Sequence, residues 1–167
     1  FFILSEEDMR TRGLPREVFT PILPSPRYSK ENAIEAFSDG SPDIDERLFL
    51  LNTKLDIKEI RSRFPALYEY LESGRAKGLH ERYLCRHRTP WYTQENRPAP
   101  PIVCTYLGRE GGAKRHPFRF IRNRSQATVA NVYLAMYPTH ALGRVAANNP
   151  AILDAICQRL NELAAGA

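Results

Sequence analysis

Apolar residues recur along this chain at two different periods, and the change of period divides it. From Asp56 to Gly74, residues Ile57, Ile60, Phe64, Leu67 and Leu71 return at three- and four-residue steps, the stripe of an amphipathic helix with Asp56 as N-cap. Pro65 falls inside that stripe and lacks the N–H that the helical ladder needs, which predicts a kink or a split into two helices. A second helix is expected at the far end, with Asn149 as N-cap, Pro150 at N1 and Ile152, Ile156, Leu160 and Leu163 on one face. Between these helices the pattern turns alternating or aromatic, which predicts strands within residues 79–95, 100–110, 116–123 and 127–138. They are joined by a Pro-rich loop at 97–101 and a Gly-rich loop at 108–112.

The leading segment reads as short elements and turns. An apolar run at Phe1–Leu4 is strand-like, and Ser5 with Asp8 makes a capping-box-like helix start that Gly13 ends. Pro15, Pro21, Pro24 and Pro26 forbid a long helix through residue 27. Residues 31–37 form a possible short helix, Ser38–Asp43 a turn, and Glu46–Thr53 a run apolar enough for a strand buried on both faces. No internal repeat is visible. The expected fold is α+β, a single domain with a mixed or antiparallel sheet flanked by helices and a C-terminal helix. Its expected organisation is a connector of short elements (1–45), a core (46–138) and a helical segment (139–167).

Composition narrows this little further. At 167 residues, 43% hydrophobic and 26% charged, the chain has room for one ordinary globular domain. No run approaches the roughly 18–20 uncharged apolar residues of a membrane span, so no membrane partner is expected. Three cysteines, Cys85, Cys104 and Cys157, are an odd number in a chain large enough to fold unstapled, which points to reduced thiols and a cytoplasmic setting. The start at Phe1, without an initiator Met or a signal peptide, suggests a fragment of a longer polypeptide.

Charge changes the picture more. Residues 1–74 carry 10 basic and 14 acidic side chains and residues 125–167 two of each, whereas residues 75–124 hold 12 basic and 3 acidic, ten of the twelve being Arg. The planar guanidinium fork suits phosphate oxygens and guanine edges. Within this segment Arg82, Arg86, Arg88 and Arg97 interleave with Tyr83, Trp91, Tyr92 and Gln94, and a second patch holds Lys114, Arg115, Arg119, Arg122, Asn123, Arg124 and Ser125, with Arg109 in the loop between. Cations for phosphates, planar rings for stacking and amides for base edges make a nucleic-acid surface. Arg75, Lys77, Arg82, Lys114 and Arg115 would fix register on phosphates, and Arg86, Arg88, Gln94, Arg97, Arg119, Arg122, Asn123, Arg124, Ser125 and Gln126 would be the pool of base readers. Trp91 and Tyr92 either stack, wedge, or hold the loop by packing.

The residues 82–95, followed by Pro101–Arg109 and Pro117–Pro138, resemble the C-terminal segment of gamma-type adenine-N6 DNA methyltransferases, the TaqI-like specificity domain of restriction–modification and phage-defence methylases. The resemblance covers roughly Glu46–Pro138, and the opening residues also resemble the stretch that follows the catalytic domain in such enzymes. It implies a domain that recognises duplex DNA and transfers no methyl group, with a catalytic methyltransferase domain in cis binding S-adenosylmethionine. No cofactor, metal or catalytic residue is then expected in this chain, and none of its sequence reads as the Asn/Asp-Pro-Pro-Tyr/Phe or Gly-rich cofactor motif of that chemistry.

Rival chemistry is weaker. Asp43, Asp56 and Lys58 imitate a metal-dependent nuclease pattern, but Asp56 opens the best helix. Cys85, His87, Cys104 and His116 lack the spacing of structural zinc sites. Two other functions fit the same residues: an RNA or single-strand binder, and a protein-docking module using the acidic N-terminal half.

Overall fold

The computed structural model describes residues 1–28, 30–105 and 118–165. Strand β1 (Ile3–Ser5) runs directly into helix α1 (Glu6–Thr11), followed by β2 (Phe19–Ile22) and β3 (Ala33–Ile34). Then come β4 (Leu48–Leu51), α2 (Ile57–Arg63), α3 (Pro65–Ala76) and the one-turn helix α4 (Tyr83–Arg86). The rest comprises β5 (Ile102–Thr105), β6 (Arg119–Asn123), β7 (Leu134–Met136), α5 (His140–Asn148) and α6 (Ala151–Ala165). The fold is α+β, with antiparallel and mixed sheets, flanking helices and a C-terminal helix, as the hydrophobic pattern predicts. No helix among the described residues is long and apolar enough to cross a membrane.

Residue contacts gather into two compact units, 1–22 with 47–97 and 23–46 with 98–167, boundaries that differ from the divisions near 45 and 138 expected from the sequence. In the first unit β4 is the centre of an antiparallel sheet, β1-β4-β2. Its residues alternate, with Phe49 and Leu51 fully buried and Leu48 and Leu50 half-buried, so the strand hides one face and not the two expected. Pro21 sits on β2, paired on one side only, where a missing N–H costs the ladder nothing. Ser5 and Asp8 form the expected capping box, Asp8 N–H donating to Ser5 Oγ at 3.1 Å. Asp56 caps α2 by accepting from the Lys58 and Glu59 amides at 2.8 and 2.9 Å, and Pro65 opens α3, so the predicted helix is split in two. Gly74 does not end α3, which continues to Ala76, with Gly78 taking the left-handed conformation (φ 70°) just beyond. The face of Gly74 is covered by the ring of Phe1, which a Cβ there would meet at 2.3 Å. That ring stacks on Tyr70 at 4.5 Å, and the Tyr70 hydroxyl donates to the Phe1 carbonyl at 2.6 Å.

The second unit is a four-stranded sheet ordered β3-β6-β5-β7, antiparallel except for the parallel pair β3·β6. Both faces are covered. Val103 and Ile121 join Leu23, Ile34, Ala127 and Tyr133 on one side, while Ile102 packs with Ala146, Leu153 and Cys157 of the two C-terminal helices on the other. Past the end of β3, the Asn161 side chain replaces a neighbouring strand for β6, accepting from Phe120 N–H at 2.8 Å and donating to Phe120 C=O at 2.7 Å.

Several sequence expectations are corrected. Residues 31–37 form β3 and a bridge between Ala36 and Pro42, because an isolated seven-residue helix is marginal while β6 offers Ala33 and Ile34 a ladder. Residues 79–95 form a 3-10 turn, α4 and tight turns in place of a strand, and only Cys85 of α4 is buried. Of residues 127–138 only Leu134–Met136 form a strand, with Thr128 in a lone β-bridge, and the helical segment expected at 139–167 holds two helices, α5 and α6. Helix α6 begins at Ala151, and Asn149 is the C-cap residue of α5.

Two measurements test this packing. Burial pushes the phenols of Tyr92, in the first unit, and Tyr133, in the second, up to about 12. Each keeps its proton in the fold after the unfolded chain has lost it near pH 10, so stability is full below about pH 10 and falls as pH rises towards 12. Urea midpoints followed by circular dichroism across that window should decline, and less steeply in Tyr133→Phe. Asn161→Ala strands a part-buried amide and carbonyl of β6, so it should cost about 1–3 kcal/mol in the same assay, against under about 0.5 kcal/mol for exposed Gln158→Ala.

Candidate nucleic-acid interface

The arginine-rich segment of the first unit is fastened to its core from one end. Tyr92 is 1% exposed and donates its hydroxyl to the Leu55 carbonyl at 2.7 Å, and Thr93 Oγ1 donates to the Thr53 carbonyl at 3.1 Å. Trp91, half-buried, lies among the rings of Phe1, Phe2, His80 and Tyr92 at centroid distances of 5.7–6.3 Å. Of the three roles open to this pair, packing is the one both rings perform, which withdraws the fully buried Tyr92 as a contact residue. Arg88 donates from Nη1 to Gln94 Oε1 at 2.8 Å, and Gln94 Nε2 donates to the Tyr92 carbonyl at 3.3 Å. Gln94 is thereby spent on bracing the loop, while Arg88 keeps the rest of its donor fork.

In front of this anchor the charge is presented outward. Arg75, Lys77, Arg82 and Arg86 are exposed, and none forms an ion pair among the described residues. Arg86 stands over the Tyr83 ring at 5.3 Å, and His87 Nδ1 lies 2.6 Å from the Tyr83 carbonyl oxygen. Arg97 is exposed and pairs with Glu95 at 2.7 Å. The sequence pattern offers Tyr83 as a planar ring but not Leu84 beside it, because strand alternation would turn the two to opposite faces. On α4 both are exposed, at 68% and 65%, with Cys85 turned inward.

The second patch behaves differently. Arg122 is 8% exposed and donates to Asp154 Oδ1 at 3.0 Å and to the Pro101 and Asn123 carbonyls at 2.7 and 2.6 Å. Asn123 donates to the Pro100 and Ala127 carbonyls and accepts from Ser125 N–H and Oγ–H. Arg122, Asn123 and Ser125 thus act as internal struts, buried and bonded to groups of their own unit. Arg124 is more exposed but is held by Glu35 and by Asp154. Arg119 reaches the Lys30 and Pro26 carbonyls at 3.1 and 3.4 Å, and burial lowers its pKa. A cavity of about 460 Å³ opens beside this network, lined in part by Asn32, Arg122, Asp154 and Asn161. Arg109, Lys114 and Arg115 lie outside the described residues, as do the Gly-rich loop and His116.

The remaining chemistry is accounted for locally. Asp56 is spent on capping α2. Cys85, Cys104 and Cys157 are buried free thiols, and burial pushes the last two up in pKa. Among the described residues no three His, Cys, Asp or Glu side chains gather closely enough to hold a metal ion.

Comparison with known proteins bears on the same segment. Residues 1–156 match the family model of the C-terminal domain of Type II methyltransferase M.Eco57I. The chain is 32% identical over 88 residues to Type II methyltransferase M.AccI of Acinetobacter calcoaceticus, covering 53% of this chain and 14% of that protein. It is 28% identical over 134 residues to Type II methyltransferase M.XamI of Xanthomonas campestris pv. amaranthicola, covering 78% of this chain and 23% of that protein. No solved structure matches it with statistical support. The matched regions thus span under a quarter of the relatives' length, and the match over residues 1–156 is to a C-terminal domain. The chain belongs to the family of Type II methyltransferase C-terminal domains typified by that of M.Eco57I.

Proposed function

We propose that this domain recognises the DNA target of a restriction–modification adenine-N6 methyltransferase, as a specificity domain of the TaqI-like kind. The observation that carries the reading is the set of exposed, unpaired cations Arg75, Lys77, Arg82 and Arg86 standing before a loop braced by Tyr92, Thr93 and Gln94. Cations free of carboxylate partners break no ion pair when a phosphate replaces water, and a braced loop spends little entropy in presenting them. Arg88, which spends Nη1 on Gln94, and Arg97, exposed and paired with Glu95, are the base-reading candidates of this unit. Arg109, Lys114 and Arg115 remain proposed contacts, and Trp91 and Arg124 act by positioning their segments. Arg119 does the same for Pro26 and Lys30.

In this reading the parent polypeptide works in the cytoplasm on duplex DNA. A catalytic domain in cis binds S-adenosylmethionine and carries out transfer to adenine, and no residue of this chain is assigned to the cofactor. Restriction and phage defence are the biological setting that the family's methylases suggest.

A titration of the 167-residue chain against fluorescent duplex DNA, single-stranded DNA and duplex RNA at two salt concentrations tests the reading. Duplex DNA should bind tightest, with affinity falling steeply as salt rises. Arg82→Ala and Arg86→Ala should each lower the logarithmic salt slope by about 1 and weaken all duplex sequences alike. Preference for RNA or single strands, or salt-insensitive binding, would overturn it.

A further inference from the structure

We propose that Tyr83 and Leu84 form a wedge that enters the base stack of duplex DNA. This rests on the function proposed above and adds to it a pair of apolar contacts and a distortion of the ligand.

Tyr83 and Leu84 are the most exposed large apolar side chains among the described residues, at 68% and 65%. They are neighbours on the one-turn helix α4, whose Cys85 is 5% exposed and fixes which side faces in. Lone exposed apolar residues need no explanation, but two adjacent ones between exposed arginines do. Arg82 precedes the pair and Arg86 follows it, and neither has an acidic partner among the described residues. The complementary ligand must be anionic on its outside and apolar and planar within. Duplex DNA has that construction, with phosphates flanking stacked bases, and proteins that kink it insert aliphatic or aromatic side chains between base steps.

The wedge is held ready. The Tyr83 ring lies 5.3 Å from the Arg86 guanidinium and 4.7 Å from the His87 ring, and His87 Nδ1 is 2.6 Å from the Tyr83 carbonyl oxygen. These contacts limit the rotamers the ring would lose on insertion, so less entropy opposes it. Arg82 and Arg86 would hold phosphates on either side of the opened step, as cations do for other inserted side chains.

The test compares a fully paired duplex with the same duplex carrying one abasic site, where unstacking has already been met. The 167-residue chain should bind the abasic duplex about tenfold more tightly. The double variant Tyr83→Ser, Leu84→Ser should lose that preference while its salt slope, set by the arginines, stays unchanged, and Tyr83→Phe should retain the preference. Both side chains are exposed, so circular dichroism of the variants should match the parent chain. A preference that is absent, or that survives in the double variant, overturns the wedge and leaves the DNA-recognition reading standing, with these side chains then facing a protein surface. Failure of the unaltered chain to bind any duplex overturns both.

Discussion

Tyr92 has to be buried and also has to place a hydroxyl, and the first unit is organised around meeting both demands. Its ring sits in the core with Phe49, Leu51, Ile60 and Leu67, and its hydroxyl would be left unsatisfied there without the Leu55 carbonyl. That bond ties the far end of the arginine-rich segment to the turn before α2, and Thr93 repeats it two residues earlier at Thr53. Trp91 then closes the aromatic group that includes Phe1, Phe2 and His80. A loop carrying this much like charge would otherwise stay extended and mobile through its own repulsion. Anchored at Tyr92, it becomes a fixed surface on which cations stand where the fold puts them.

The second unit uses arginine for the opposite purpose. Arg122 lies almost wholly inside, and an unpartnered guanidinium there would be costly to desolvate. Asp154 supplies the counter-charge and the Pro101 and Asn123 carbonyls take further donors, so one side chain joins β6, the start of β5 and α6. Asp154 also receives Arg124, which extends the same network to Glu35 beside β3. Removing Asp154 would leave the buried Arg122 charge alone, which is why Arg122 reads as structure and not as surface. The Asn161 amide does neutral work of the same kind for the backbone of β6.

The family relationship fits this division of labour. Matches to M.AccI and M.XamI cover 14% and 23% of those proteins, a minor part of each. Here the exposed cations lie at the end of α3 and around α4 in one unit, while Arg122, Asn123 and Asp154 brace the other from a strand and a helix.

Much of the frame was legible in the residues alone. The stripe from Ile57 to Leu71, the break at Pro65, the Ser5–Asp8 capping box and the strand at Leu48–Leu51 are local signals, set by periodicity and by which backbone groups a side chain can reach within a turn. The concentration of arginine between residues 75 and 124 was equally plain. What could not be read was which arginines face water, because Arg82 and Arg122 are identical in type and both sit among aromatic and apolar neighbours. Only the pairing of β6 with β3 and β5 and the approach of α6 place Asp154 against Arg122, 32 residues away. Likewise only the packing of Cys85 inward turns residues 83–86 into a helical turn that shows Tyr83 and Leu84 to solvent. Sequence determined the elements and the charge through local physics. Tertiary structure decided which cations are struts and which are surface, because burial and partners come from residues far apart in the chain.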